Sequence, residues 1–239
     1  MKVLILGDIM LDEYISITPV KLSQEAPVAV GRYKHTICTL GGAGNAAANV
    51  AALGGQAYLA GYIGHDSETI KALMSHHLIE DCTIQAPGWD TIRKVRVVDE
   101  AGHQFVRIDY ENPEPFIHTD SVAQIKNYIL SASLCASTPN LLLSDYGKGT
   151  LTGLTELAIS AFTKMGKFVV VNGKPQNIAR YRDASVVTMN KAEWEQAYRL
   201  RDTQPVRPEQ VLKAMSSVLP NSTLIMTCGS ESVVVYKND

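Results

Sequence analysis

The chain has 239 residues, with 22 basic against 24 acidic side chains, a formal net charge of −2, and 46% hydrophobic to 19% charged residues. That hydrophobic share excludes a disordered chain, and this length buries a sizeable core as one large domain. The balanced charge excludes a general nucleic-acid binder, and no apolar run reaches the roughly 18 residues of a membrane span.

The first element is a buried strand at residues 3–6, closed by Gly7-Asp8. A short apolar run ended by glycine suits a parallel strand covered on both faces. It is too short for a signal peptide, and Asp8 interrupts it. Residues 13–39 carry strand-like residues and prolines without a helical period. An Ala-rich helix is predicted at 45–53, with Gly54-Gly55 as its stop signal. A strand at 56–63 and a helix at 67–77 follow. Residues 91–109 read as two strands around the turn 99–102, with Val95, Val97, Phe105, Val106 and Ile108 in a half-buried pattern. Together, 13–39 and 91–109 predict a small antiparallel sheet projecting from the core. The next helix spans 120–134, with Thr119 as N-cap and Asp120 adding negative charge to the first turn. Beyond it come a strand at 140–144, a helix at 154–165 stopped by Gly166, and strands at 168–171 and 185–189. Helices at 192–200 and 208–218 precede strands at 223–227 and 232–236; Pro208 suits a first turn. Strands alternating with helices of this length indicate an α/β domain with a mainly parallel sheet.

Cys38, Cys82, Cys135 and Cys228 are far apart and form no CxxC pair. Reduced core thiols follow, and with no secretory signal a cytoplasmic location is expected. The sequon Asn221-Ser222-Thr223 is then accidental. Gly147-Lys148, Gly166-Lys167 and Gly173-Lys174 lack the other residues of a P-loop, and there is no G-x-S-x-G or HExxH. His76-His77 sits on a helix with its rings pointing apart, which favours a surface location over metal ligation.

The most informative segment is Gly41-Gly42-Ala43-Gly44-Asn45-Ala46-Ala47-Ala48-Asn49. Glycines before a helix let backbone approach a ligand, and the helix N-terminus favours oxygen-rich groups. A tight turn before a packed helix accounts for these residues equally well. With Gly54 and Gly64 added, the stretch resembles the first signature of the ribokinase-like (PfkB) carbohydrate kinases. Gly7-Asp8-Ile9-Met10-Leu11-Asp12-Glu13-Tyr14, Ser23-Gln24-Glu25-Ala26-Pro27-Val28, Thr91-Ile92-Arg93-Lys94-Val95-Arg96, Arg107-Ile108-Asp109, Ser144-Asp145-Tyr146-Gly147-Lys148-Gly149 and Arg180-Tyr181-Arg182 resemble its D-glycero-β-D-manno-heptose 7-phosphate kinase branch. That branch is often the N-terminal half of a bifunctional ADP-heptose synthesis protein.

The resemblance implies a three-layer ribokinase-like α/β fold over residues 1–239, with the small sheet as a lid. It implies MgATP-dependent phosphoryl transfer to the anomeric hydroxyl of heptose 7-phosphate, in lipopolysaccharide precursor synthesis. Asp12, with Asp8 beside it, would hold sugar hydroxyls, since a carboxylate accepts several hydrogen bonds at once; a capping or turn role for Asp8 stands equally open. Gly41, Gly42 and Asn45 would face the sugar. Lys94, Arg96 and Arg107 would meet its phosphate; cations spaced by two on a strand share a face, which otherwise reads as a solvated one. On the nucleotide side stand Asp145, Lys148, Lys174, Asn190, Glu193, Thr227 and Gly229. Glu193 would organise the water shell of Mg²⁺, although Asn190 and Glu193 equally fit a capped helix start. Thr227-Cys228-Gly229 equally fits a plain turn.

Three departures stand out. The family's Gly-Ala-Gly-Asp motif, which supplies the general base and an anion hole, is absent from these residues. Asn172-Gly173-Lys174 replaces the branch's Asp-Pro-Lys, and Ser232 replaces a common glycine. The chain is therefore expected to be C-terminally incomplete, inactive alone, and short of helices that cover the sheet. The missing part would come from a longer chain or a second polypeptide. A pseudokinase or sugar-binding scaffold is the competing expectation. A homodimer through the lid is expected by analogy.

Overall fold

The computed structural model describes residues 1–111, 119–134, 139–199 and 207–237. The elements are β1 (Lys2–Gly7), β2 (Ile9–Leu22), β3 (Ala29–Gly42), α1 (Ala43–Ala52), β4 (Gln56–Ala60), β5 (Tyr62–Ile63), α2 (Glu68–His76), β6 (Glu80–Asp81), β7 (Ile84–Gln85), β8 (Ile92–Val98) and β9 (Gln104–Tyr110). They continue as α3 (Thr119–Leu134), β10 (Asn140–Ser144), α4 (Thr155–Lys164), β11 (Val169–Asn172), a 3₁₀ turn at Pro175–Tyr181, β12 (Val186–Asn190), α5 (Lys191–Arg199), α6 (Pro208–Met215), β13 (Thr223–Thr227) and β14 (Val233–Tyr236).

The main sheet has eight strands in the order β14-β13-β12-β11-β10-β1-β4-β6. Every pairing in it is parallel except β13 with β14. The chain leaves β1 toward β4 and returns on its other side at β10, so the strand order reverses at β1. Ligands of open α/β sheets settle at such a reversal, beyond the carboxyl ends of the strands. Alternation in β1 explains the layers: Leu4 and Leu6 join the core under α3, α4, α5 and α6, whereas Val3 and Ile5 pack with α1 and α2. All but Val3, at 6%, have no solvent exposure. The half of the second face formed by β10 to β13 is less covered: Leu142, Val170, Val186 and Ile225 are only half-buried.

The lid is a four-stranded sheet in the order β3-β2-β8-β9. Both hairpins are antiparallel as expected, but β2 pairs with β8 in parallel, which joins them. β2 is core at its start, with Ile9, Met10 and Leu11 buried, and becomes lid after Asp12. The turn between β8 and β9 is set by Asp99, whose Oδ1 accepts the Ala101 and His103 N–H groups, both at 2.9 Å.

Other expectations shift locally. The expected strand at 56–63 breaks at Gly61, and α1 begins at Ala43 rather than Asn45. Thr119 is the first residue of α3 and not its N-cap; the position before it lies outside the described residues, as do Leu200 and Cys135. Cys38, Cys82 and Cys228 are free thiols, half-buried rather than in the core. Among the described residues, no helix is long and apolar enough to cross a membrane.

Candidate active site

A cleft of about 540 Å³ opens at the carboxyl ends of β10 to β13, against the N-terminus of α1. Parallel register brings the strand ends level: Gly7 pairs with Ser144, Ser144 with Asn172, Asn172 with Thr188, and Asn190 with Thr227. Gly42, Asn45, Lys174, Asn190, Glu193 and Thr227 line this one cleft, as six of the expected site residues. Gly42 adopts a left-handed φ of 55° at the N-cap of α1, and the Ala43 N–H donates to the Asp8 carbonyl at 2.8 Å. A Cβ on Gly41 would lie 2.4 Å from Asp12 Oδ2, so glycine there makes room for that carboxylate.

Asn190 and Glu193 cap α5 reciprocally. The Glu193 N–H donates to Asn190 Oδ1 at 2.9 Å, and the Asn190 N–H donates to Glu193 Oε2 at 3.0 Å. The other Glu193 oxygen takes Lys174 Nζ at 2.5 Å. Lys174 also lies 5.3 Å from the centre of the Tyr146 ring. The capping role and the cleft-lining position therefore coexist at Glu193.

Asp8 takes the turn role that stood open for it. It is 1% exposed, and its carboxylate accepts the N–H groups of Tyr146 at 2.9 Å, Lys148 at 3.0 Å and Thr150 at 3.0 Å. Burial pushes its carboxyl up, while those donors pull it down. It pins the loop after β10 and is closed to a sugar. Asp145 is buried as well. It is 2% exposed and is held by the Gly147 N–H at 2.8 Å, Asn177 Nδ2 at 2.9 Å and the Tyr181 hydroxyl at 2.5 Å. It borders a separate cavity of about 270 Å³, not the main cleft. Gly229 sits at φ 63° in the β13–β14 turn, two residues beyond the cleft-lining Thr227. For Asp8 and Asp145, sequence motifs do not separate a buried organising carboxylate from a ligand-holding one.

The Lys148 ammonium meets Glu111 at the lid end, at 2.5 Å. One face of the lid carries Asp12, Tyr14, Lys94, Arg96, Arg107 and Asp109, which strand alternation places on one side. These charges are already paired: Arg96 with Asp12 at 2.6 Å, Lys94 with Asp109 at 3.1 Å and Glu111 at 2.7 Å, and Arg107 with Asp109 at 2.9 Å. The hydrogen bond to Asp12 raises the Arg96 pKa. Burial opposes the Lys94 charge, yet Glu111 and Asp109 outweigh it.

Tyr146, Ser144, Asn49, Asn172 and Thr188 also line the cleft; the first four stand in the motifs and departures quoted above without a site role, and Thr188 was not singled out. Their signal was available: each but Asn49 sits at, or just before or after, the carboxyl end of a parallel strand. Gly173 accounts for one departure. A Cβ there would lie 2.5 Å from the Tyr181 ring, whose hydroxyl accepts the Lys174 N–H at 3.0 Å.

The pfkB family carbohydrate kinase model matches residues 2–239. The bifunctional protein HldE of Methylococcus capsulatus is 38% identical over 196 residues, covering 81% of this chain and 40% of that protein. HldE of Gluconobacter oxydans is 32% identical over 248 residues, covering 100% of this chain and 50% of that protein. The chain thus spans about half the length of the curated relatives it matches. Phosphofructokinase-2 from Escherichia coli, in a tetrameric inhibited form, superposes with a TM-score of 0.78 at 18% identity, over 100% of this chain and 77% of that one. The same enzyme in complex with fructose-6-phosphate gives 0.76 at 20% identity, over 100% and 77%. The level strand ends, the lid and a family match over residues 2–239 agree, and the chain belongs to the PfkB family of carbohydrate kinases.

Proposed function

We propose that this chain is the sugar- and nucleotide-holding part of a kinase for D-glycero-D-manno-heptose 7-phosphate, using MgATP. The carrying observation is the cleft that gathers the Gly42–Asn45 turn, Lys174, Glu193 and Thr227, together with the acid-paired cations Lys94, Arg96 and Arg107 of the lid. Asp12 and Asn45 hold sugar hydroxyls, and exchange of Asp12 from Arg96 to the sugar frees that guanidinium for an anion. Lys174 and Thr227 hold the nucleotide phosphates. Mg²⁺ enters with ATP and neutralises charge on the phosphates. The residues present fit such an ion through Glu193, an acid in the cleft beside a cation it can exchange. HldE relatives, similar over most of this chain, support the heptose substrate.

The reading assigns no proton acceptor. Asp12 is paired with Arg96, Glu193 with Lys174, and Asp8 and Asp145 are buried and bonded. The exposed lid residues Tyr33, Ile37, Val106 and Ile108 support a lid-to-lid homodimer. Calorimetry with heptose 7-phosphate and MgATP, paired with a phosphotransfer assay, tests the reading. Binding of both is expected, without turnover by these 239 residues, and with turnover once a segment bearing Gly-Ala-Gly-Asp is joined. Turnover by the chain alone would refute the missing-base reading. A scaffold without catalysis predicts binding but no rescue by the added segment.

A further inference from the structure

We propose that Glu111 is a built-in competitor for the substrate's phosphate, and that Lys148 serves the sugar phosphate rather than the nucleotide. This deepens the proposed function and rests on it for the substrate. The Glu111 carboxylate bridges two ammonium groups from different parts of the fold, with Oε1 on Lys94 at 2.7 Å and Oε2 on Lys148 at 2.5 Å. Lys94 lies on lid strand β8, and Lys148 on the core loop whose backbone Asp8 pins. One anion with two closely spaced oxygens therefore already spans the gap between lid and core. A phosphate presents the same pair of oxygens with a third acceptor and up to twice the charge.

The chain supplies this anion deliberately placed. Residues 107, 109 and 111 alternate onto the lid face that carries Lys94 and Arg96. Lys148 and then Lys94 hold the Glu111 carboxyl below the usual carboxylate range. The bridge remains open to water, since the side chains of Lys148 and Glu111 keep 30% and 28% exposure. A neutral sugar gains nothing by displacing a carboxylate from two ammonium groups, whereas a phosphate dianion does. Glu111 thus selects for phosphorylated sugars by raising the threshold for every weaker ligand.

The test is titration calorimetry of the 239-residue chain with inorganic phosphate, MgATP and heptose 7-phosphate. Glu111→Gln should bind inorganic phosphate about threefold to fivefold more tightly, the scale of one partly exposed ion pair. Lys148→Gln should weaken phosphate binding by a similar factor and leave MgATP affinity within twofold, roughly the scatter of a neutral surface change. A purely structural Glu111 predicts unchanged or weaker phosphate binding in Glu111→Gln, and that result overturns the proposal. So does a Lys148→Gln protein that loses MgATP and keeps phosphate. Tighter phosphate binding by Glu111→Gln without any heptose 7-phosphate binding would keep the role of Glu111 and overturn the substrate instead.

Discussion

Asp8 and Asp12 stand four residues apart and do different work. Asp8 spends its lone pairs on three backbone N–H groups of one loop, while Asp12 holds a guanidinium across the lid strands. Asp8→Ala should cost about 1–3 kcal/mol, the penalty for orphaned buried donors, measured by urea unfolding. Asp12→Asn should leave the unfolding midpoint nearly unchanged and weaken sugar binding about tenfold, the loss of a charge-assisted hydrogen bond or two. The reverse pattern would show that the two roles are exchanged. Gly173→Ala should destabilise by about 1–3 kcal/mol, because its Cβ would meet the Tyr181 ring at 2.5 Å and the ring is buried. A variant as stable as the parent would show that the ring yields freely.

The lid is tied to the core at both ends of its strands. β2 continues directly from buried residues into the lid, and Glu111, just past β9, reaches back to Lys148. The sign of the pH effect follows from the direction of the shift. The folded Glu111 pKa lies below its unfolded value, so the bridge adds stability above the ordinary glutamate range of about 4.3 and loses it as pH falls through the folded value. Unfolding midpoints between about pH 6 and 3 should fall less steeply for Glu111→Gln than for the parent. Equal slopes would mean that the bridge carries no linkage. The neighbouring ladder of Asp12, Lys94, Arg96 and Asp109 is likewise a contact between strands, so a single substitution there reaches several partners.

Across the molecule, burial is uneven. The core under α3 to α6 holds Trp194, Phe162 and Leu143 with no solvent exposure, whereas Leu142, Val170, Val186 and Ile225 on the opposite face stay half-buried. The edge strand β14 adds Val233 and Val235, 60% and 58% exposed. An apolar sheet face next to an exposed edge favours association. The chain should show concentration-dependent self-association in sedimentation velocity, reduced in a Val186→Thr, Ile225→Thr double variant. A monomer at every concentration, or association unmoved by those substitutions, would reject this face as its source.

The sequence by itself determined most of the order of strands and helices, the lid segments and six of the cleft residues. Local period and turn chemistry carry that information: Val3 to Leu6 reads as a covered strand because four apolar residues run together before Gly7, and Asp99 to Gly102 reads as a turn. Only the tertiary structure decided which carboxylates are occupied. Asp8 and Asp145 are spent on backbone and side chains as many as 142 residues away, and Glu111 meets Lys148 across 37 residues. Such pairings depend on register between distant strands, which no local pattern encodes. The parallel joining of β2 to β8 was hidden for the same reason: alternation fixes which face a side chain takes, but not which neighbour a strand accepts.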